Sequence, residues 1–96
     1  MIDIKAELKR DNPRALAIDI EVYGDCLAVY AQAAHNIRKN GAVCINSRTG
    51  APFENPFLKI QERQAAILCG MATIEGGRVL RLVTEGLTHG ETANTD

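Results

Sequence analysis

The chain has 96 residues, a hydrophobic share of 46% and a formal net charge of −1. This length suits a single domain of marginal stability, and the hydrophobic share excludes a disordered chain. The near-neutral charge excludes a strongly basic nucleic-acid binder, so any contact with DNA must come from a local patch or from many copies of one patch.

The first predicted element is a short helix or arm over residues 1–12, where apolar residues alternate with charges and the composition favours a helix. Basic residues are densest here. Solvated charge is the ordinary interpretation of such a group, but an oligomer that repeats it could neutralise several phosphates. The candidate DNA-binding residues are therefore Lys5, Lys9, Arg10 and Arg14.

A wide apolar stripe predicts a first long helix that ends at Gly41. The helix begins either at Asn12-Pro13 or near Asp19, whose carboxylate suits a helix N-terminus. Apolar residues at i, i+3, i+4 and i+7 form a face wider than one packing partner requires, which indicates an oligomer interface. The predicted interface consists of Val22, Tyr23, Cys26, Val29, Tyr30, Ala33 and Ile37.

Strand-like residues on both sides of a turn predict a two-stranded hairpin after this helix. The turn is Ser47-Arg-Thr-Gly50, and the chain returns in extended form with Pro52 on an open edge. Asn55-Pro56 then predicts the start of a second long helix, with Asn as the N-cap and Pro as the first helical residue.

An apolar stripe carries the second helix as far as Ile74, and Gly76-Gly77 is predicted to end it. One or two further turns follow, up to Gly86. The predicted fold is mainly α, with two long antiparallel helices joined by a short β-hairpin and short helical segments at both ends. Its parts are an arm or short helix (1–12), a helix–hairpin–helix oligomerisation domain (13–87) and a flexible tail (88–96).

No set of residues in the sequence has the pattern of a catalytic or metal site. Ser47, the only serine, lies in a turn without a glycine-rich elbow or an adjacent histidine. The histidines and cysteines lack the short spacings of zinc ligands, and Gly76-Gly77 has no surrounding phosphate-loop pattern. We therefore expect no enzyme activity, no catalytic residues, no metal and no cofactor.

The odd number and wide spacing of Cys26, Cys44 and Cys69 predict reduced thiols in a cytoplasmic protein. The N-terminal residues do not form a signal peptide. The longest apolar stretch, Ala65 to Ile74, is too short to span a bilayer, so no membrane partner is expected.

Four segments carry a resemblance to a known family. They are Val22-Tyr-Gly-Asp-Cys-Leu-Ala-Val-Tyr-Ala-Gln-Ala33, Lys39-Asn-Gly-Ala-Val43, Arg48-Thr-Gly50 and Asn55-Pro-Phe-Leu-Lys-Ile60. From about Asp19 to Leu87 the chain resembles the small subunit of tailed-phage terminases. The resemblance implies a DNA-packaging component of the bacterial host cytoplasm that forms a homo-oligomeric ring. It also implies two partners, double-stranded viral DNA and a separate large subunit that this component regulates.

Two other classes of protein fit the same sequence. One is a small helical transcription regulator or antitoxin-like dimer that binds DNA, and the other is a protein-interaction module without DNA contact. All three interpretations are non-enzymatic, and they differ in the partners that the helical faces and the basic residues would meet.

Overall fold

A computed structural model describes the backbone of residues 2–95 and the side chains of residues 2–86. Within that part the chain forms helices and one small hairpin. In chain order the elements are α1 (Ile4–Asp11), α2 (Ala17–Asn40), β1 (Val43–Ile45), β2 (Pro52–Glu54), α3 (Phe57–Gly70) and α4 (Gly77–Thr95). The prediction of a mainly helical chain with a two-stranded antiparallel hairpin is confirmed.

The long helix α2 begins at Ala17 after an extended Leu16 and ends where Gly41 adopts a φ of 84°. The Gly41 N–H donates to the Ile37 carbonyl at 2.7 Å, which closes the last turn. Arg38 and Lys39 lie in that turn, where positive charge suits the negative end of the helix dipole. The predicted glycine stop is therefore confirmed.

The hairpin pairs β1 with β2 so that Val43 lies opposite Glu54 and Ile45 lies opposite Pro52. Its turn is ordered by Asn46, whose side-chain oxygen accepts from the Arg48 N–H at 2.9 Å. This side-chain contact mimics a backbone turn, which is why asparagine is favoured at such positions.

Asn55 joins the hairpin to both neighbouring helices. Its Oδ1 accepts from the Phe57 N–H at 2.9 Å and so satisfies the N–H of the first residue of α3. The helix begins one residue later than predicted, with Pro56 and not Asn55 in the N-cap position. Its Nδ2 donates to Asn36 Oδ1 at 3.0 Å and to the Gly41 carbonyl at 2.9 Å. Among residues 2–86, Asn55 is the only buried polar side chain, with 2% of its surface exposed. One amide therefore fixes the end of α2 against the start of α3.

The second long helix is shorter than predicted, because α3 ends at Gly70 and does not reach Ile74. Met71 leaves the helical region with a ψ of 57°, and Ile74 is buried from the loop that follows. The backbone of α4 continues past Gly86, so the short final helical segment predicted from the sequence is also wrong. The predicted flexible tail (88–96) lies outside the side chains described and stays a prediction.

Helices α2 and α3 run antiparallel, because Asn36 meets Asn55 beside the hairpin and Tyr23 meets Cys69 at the other end. Helices α1 and α4 pack across the end of α2 that lies away from the hairpin. The core at their junction consists of Leu8, Ile20, Tyr23, Leu27, Ile74 and Val79.

Polar contacts join helix α1 and the residue after it to the start of α4 and the loop before it. The Asn12 side chain pairs with the backbone of Glu75, accepting from its N–H at 2.8 Å and donating to its carbonyl at 2.9 Å. Arg78 of α4 holds two carboxylates of α1, Glu7 at 2.6 Å and Asp11 at 2.8 Å. Helix α4 is therefore held against α1 by hydrogen bonds and charge as well as by apolar packing.

The molecule is long and thin, with Cα extents of 52 × 33 × 15 Å. Its radius of gyration is 15.5 Å, against about 12.5 Å for a compact chain of this length. Its accessible surface is 6683 Å², against about 5,400 Å² for a compact monomer of this mass. The chain thus leaves more surface exposed than a compact domain of its size.

Candidate assembly and nucleic-acid surfaces

The apolar stripe predicted as an oligomer interface is divided between the core and the surface. Tyr23 and Ala33 are buried within the chain. Tyr23 lies against the loop before α4, and its burial, together with nearby Glu75, raises the pKa of its phenol above the ordinary value of 10.0. These two residues stabilise the monomer and are not available to a second subunit.

Three further stripe residues, Cys26, Tyr30 and Ile37, are half-buried. Tyr30 lines a shallow apolar cavity between α2, α3 and α4, together with Leu68 and Leu80. A change at Tyr30 would therefore disturb the packing of the chain itself as well as any contact between subunits.

The remaining stripe residues, Val22 and Val29, are exposed. Ile18, one turn before Val22, is also exposed and lies on the same face of α2, since residues four and seven apart share a helix face. We call these three residues the α2 face. Val22 and Val29 belong to the predicted interface, whereas Ile18 was not among the predicted residues. Leu16, just before α2, adds a fourth exposed apolar side chain beside it.

The hairpin carries a second exposed apolar surface that the sequence interpretation did not single out. Val43 is 61% exposed, Ile45 is 62% exposed, and Phe53 on the other strand is 47% exposed. Val43 and Ile45 are two residues apart on β1 and so lie on one side of the sheet. The alternation around Cys44 was the available signal, but it does not reveal which side of a short strand is covered.

Of the candidate DNA-binding residues, Lys5 is engaged within the chain. Its Nζ lies 2.6 Å from Glu21 and 3.1 Å from Asp25 on α2. The hydrogen bonds that Lys5 donates to these two carboxylates raise its pKa above the usual value. Gly24 leaves room for the lysine stem, since a Cβ there would lie 2.9 Å from Lys5 Cγ. The positive charge of Lys5 is largely neutralised by this pairing.

The other three candidates are exposed and differ in their contacts. Lys9 donates to the carbonyls of Pro13 and Ala15, both at 3.2 Å, so it closes the loop that follows α1. Arg10 lies 3.7 Å from Glu7 in a loose surface ion pair. Arg14 lies in the loop itself and lines an open depression at the start of α2. The four predicted residues thus share one end of the molecule but do not converge on a single point.

Among the residues that the structure describes, no group of three or more His, Cys, Asp or Glu side chains could hold a metal ion. The cysteines are free thiols, and Cys69 is the most exposed of them. No helix in the described part combines the length and the apolar character needed to cross a membrane.

No protein-family model, no curated protein and no solved structure matches this chain. Function is therefore inferred from the surfaces described above.

Proposed function

We propose that this chain is a non-enzymatic assembly protein, the small subunit of a phage DNA-packaging terminase, acting as a homo-oligomer in the host cytoplasm. The observation that carries the proposal is the α2 face, which exposes Ile18, Val22 and Val29 on a thin, extended chain. Such a surface on a small domain is typical of a protein that is completed by other subunits.

The apolar area available supports assembly on energetic grounds. Fully burying one Val or Ile side chain contributes roughly 1.5–3 kcal/mol. Several such residues from each of two subunits can offset part of the entropy lost on association. Repetition of the contact around a ring would bring many copies of the same surface together.

DNA recognition and regulation of a large subunit rest on the sequence resemblance. The exposed cations Lys9, Arg10 and Arg14 are the groups available for phosphate contact. One subunit offers few of them, whereas an oligomer repeats them at regular intervals and gains affinity with every phosphate neutralised. We therefore assign double-stranded DNA to the oligomer and not to the single chain.

The test of assembly is the mass of the native particle by sedimentation, for the natural chain and for Val22→Asp combined with Val29→Asp. Both positions are exposed, so the charges should break subunit contacts without unfolding the monomer. The matched control is Val22→Thr with Val29→Thr, which retains the β-branched shape without a charge. A natural chain that sediments as a monomer at all concentrations would refute the proposal.

The proposed DNA binding is tested by titration of duplex DNA at increasing salt. The observed affinity of the oligomer should fall with a log–log slope of about −0.9 for each phosphate contacted. Lys9→Ala with Arg10→Ala should weaken binding and reduce that slope. The control is Lys59→Ala with Arg63→Ala, which removes the same charges from the exposed side of α3. No ATP hydrolysis or DNA cleavage is expected from this chain alone.

A protein-interaction module without DNA contact is the second candidate. It is favoured by the ion pairs that occupy Lys5 and Arg78, because these leave fewer free cations than the composition indicates. Stable assembly combined with no duplex binding at low salt would select this candidate.

A further inference from the structure

The two edges of the hairpin differ in their capacity to accept another strand. The Asn46 N–H donates to the Ala51 carbonyl and the Asn55 N–H donates to the Ala42 carbonyl, both at 2.9 Å. Hydrogen-bonded pairs alternate along an antiparallel ladder, so Cys44 is the next residue of β1 that bonds across to β2. Val43 and Ile45 must therefore direct their backbone N–H and C=O groups to the outer edge of β1.

The outer edge of β2 is closed to pairing. Ile45 lies opposite Pro52, and Val43 lies opposite Glu54, so Pro52 and Glu54 are the outward residues of β2. Proline offers no N–H, and a charged residue on an edge opposes the approach of another strand. The outer edge of β1 has neither a proline nor a charged residue.

The open edge of β1 also has an apolar surface beside it, since Val43 and Ile45 are both more than half exposed. A two-stranded hairpin is marginal in water by itself and gains stability when further strands complete the sheet. An unguarded, apolar edge strand is a site where another strand adds.

We propose that β1 pairs antiparallel with β1 of a second copy across a two-fold axis, giving a four-stranded sheet in the order β2-β1-β1-β2. The inference rests on the self-assembly part of the proposed function. In the register that uses all outward groups, Val43 pairs with the partner's Ile45 on each side of the axis. Cys44 then lies opposite the partner's Cys44 in a pair without hydrogen bonds, where side chains come closest.

A second copy is the occupant because the edge is self-complementary and the alternatives are blocked. Pairing β1 with β2 of another copy would bring Pro52 to the new ladder, so hairpins cannot join head to tail. Each α2 leads into its own β1, so antiparallel pairing of the two β1 strands places the two α2 helices at opposite ends of the pair. The two helices therefore do not compete for the same space. The contact is closed and joins two copies only.

The first experiment blocks the edge with Ile45→Pro and measures the particle mass by sedimentation. Residue 45 directs its N–H outward, so proline at this position removes an edge donor from β1, as Pro52 already does on β2. The expected result is a particle of lower mass than the natural one, because copies joined through β1 separate, while Ile45→Val, which retains the N–H, leaves the mass unchanged. Circular dichroism confirms that the helices are retained in both variants.

The second experiment tests the pairing by cross-linking and leaves Val43 and Ile45 unchanged. In a Cys26→Ser, Cys69→Ser background, a short bis-maleimide should join two copies through Cys44. The cross-linked dimer should be the main product at concentrations where the particle forms, and it should disappear when Cys44→Ser is added. A cross-link that survives Cys44→Ser would be non-specific and would count against the proposal.

The outcomes separate this inference from the proposed function. If the natural chain assembles but Ile45→Pro leaves the mass unchanged and Cys44 does not cross-link, the hairpin contact is wrong and homo-oligomeric assembly stands. If the natural chain is a monomer throughout and Cys44 does not cross-link, both are wrong. A lower mass for Ile45→Pro together with a Cys44-specific cross-link supports the two-fold pair.

Discussion

The phenol ring of Tyr23 lies directly against Gly76, at the place where any other residue would carry its Cβ. Tyr23 belongs to α2 and Gly76 to the loop before α4, so this contact sets how closely the C-terminal helix approaches the core. Gly76 is buried although it has no side chain, because the ring covers it. The missing methyl group is therefore a packing requirement and not a matter of backbone conformation.

We expect Gly76→Ala to destabilise the protein by about 1–3 kcal/mol, the usual range for forcing extra volume into a packed site. Urea unfolding followed by circular dichroism measures the change. The matched control is Gly86→Ala on α4, where an added Cβ meets nothing within 4 Å. Because alanine is the better helix former, that control should be neutral or more stable by about 0.5–1 kcal/mol.

A double substitution identifies the cause. If the Tyr23 ring is the obstacle, Gly76→Ala should be much less harmful in a Tyr23→Ala background than in the natural chain, a coupling of the kind that contacting residues show. Equal effects in both backgrounds would place the strain elsewhere.

The ionisation of Tyr23 gives a second test of the same packing. Burial raises the pKa of its phenol above 10.0, so the folded chain retains the proton at a pH where the unfolded chain has lost it. The contribution of the protonated phenol to the free energy of unfolding is therefore complete below pH 10, and it declines as the pH rises from 10 toward the pKa of Tyr23 in the folded chain. The variant Tyr30→Phe leaves Tyr23 as the single tyrosine in a chain without tryptophan. A pH titration of its tyrosinate absorbance should have a midpoint above pH 10 in the folded protein and a midpoint of about 10 in denaturant.

The bonds between Asn12 and Glu75 predict a graded loss of stability. Asn12→Ala removes both contacts with the Glu75 backbone and the bond to the Leu8 carbonyl, and should destabilise the protein by about 1–3 kcal/mol. Asn12→Asp retains an acceptor for the Glu75 N–H but loses the donors, so its effect should differ from that of alanine. Thermal unfolding measures the stability of the two variants. If both were as stable as the natural chain, the assigned bonds would be contradicted.

Asn55 should respond differently from a simple helix cap. At an ordinary cap, replacement by Gly costs only a few tenths of a kcal/mol and replacement by Ala costs about 0.5–2. Here the Asn55 amide also donates to Asn36 and Gly41 in a buried site, so both replacements leave acceptors without their partner. We therefore expect Asn55→Gly to cost about 1–3 kcal/mol, and denaturant unfolding decides between the two patterns.

Local sequence signals located the elements whose ends are set by nearby residues. Gly41 ends α2, and the Asn55 side chain bonds to the first residue of α3, for reasons that are visible within a few positions of the chain. The end of α3 could not be found in this way, because the apolar spacing through Met71 and Ile74 continues a helical pattern. Ile74 is instead drawn into the core from a loop, and only the packing of distant residues decides this.

The candidate surfaces were predicted in part for a related reason. Helical spacing identified the α2 stripe but cannot distinguish a residue buried by its own chain, such as Ala33, from one left exposed, such as Val29. The pairing of Lys5 with Glu21 spans 16 positions and joins two helices, so no local charge pattern reveals it. The predictions about DNA and the large subunit stay predictions.

The contacts between α1 and α4 have a consequence for the order of folding. Arg78 meets Glu7 across 71 positions of the chain, whereas Asn55 meets Asn36 across only 19. Closing the longer loop carries the greater entropy loss, and contacts of large sequence separation slow folding. We expect the helical hairpin of α2 and α3 to form first, and the docking of α1 with α4 to complete the domain in the final step.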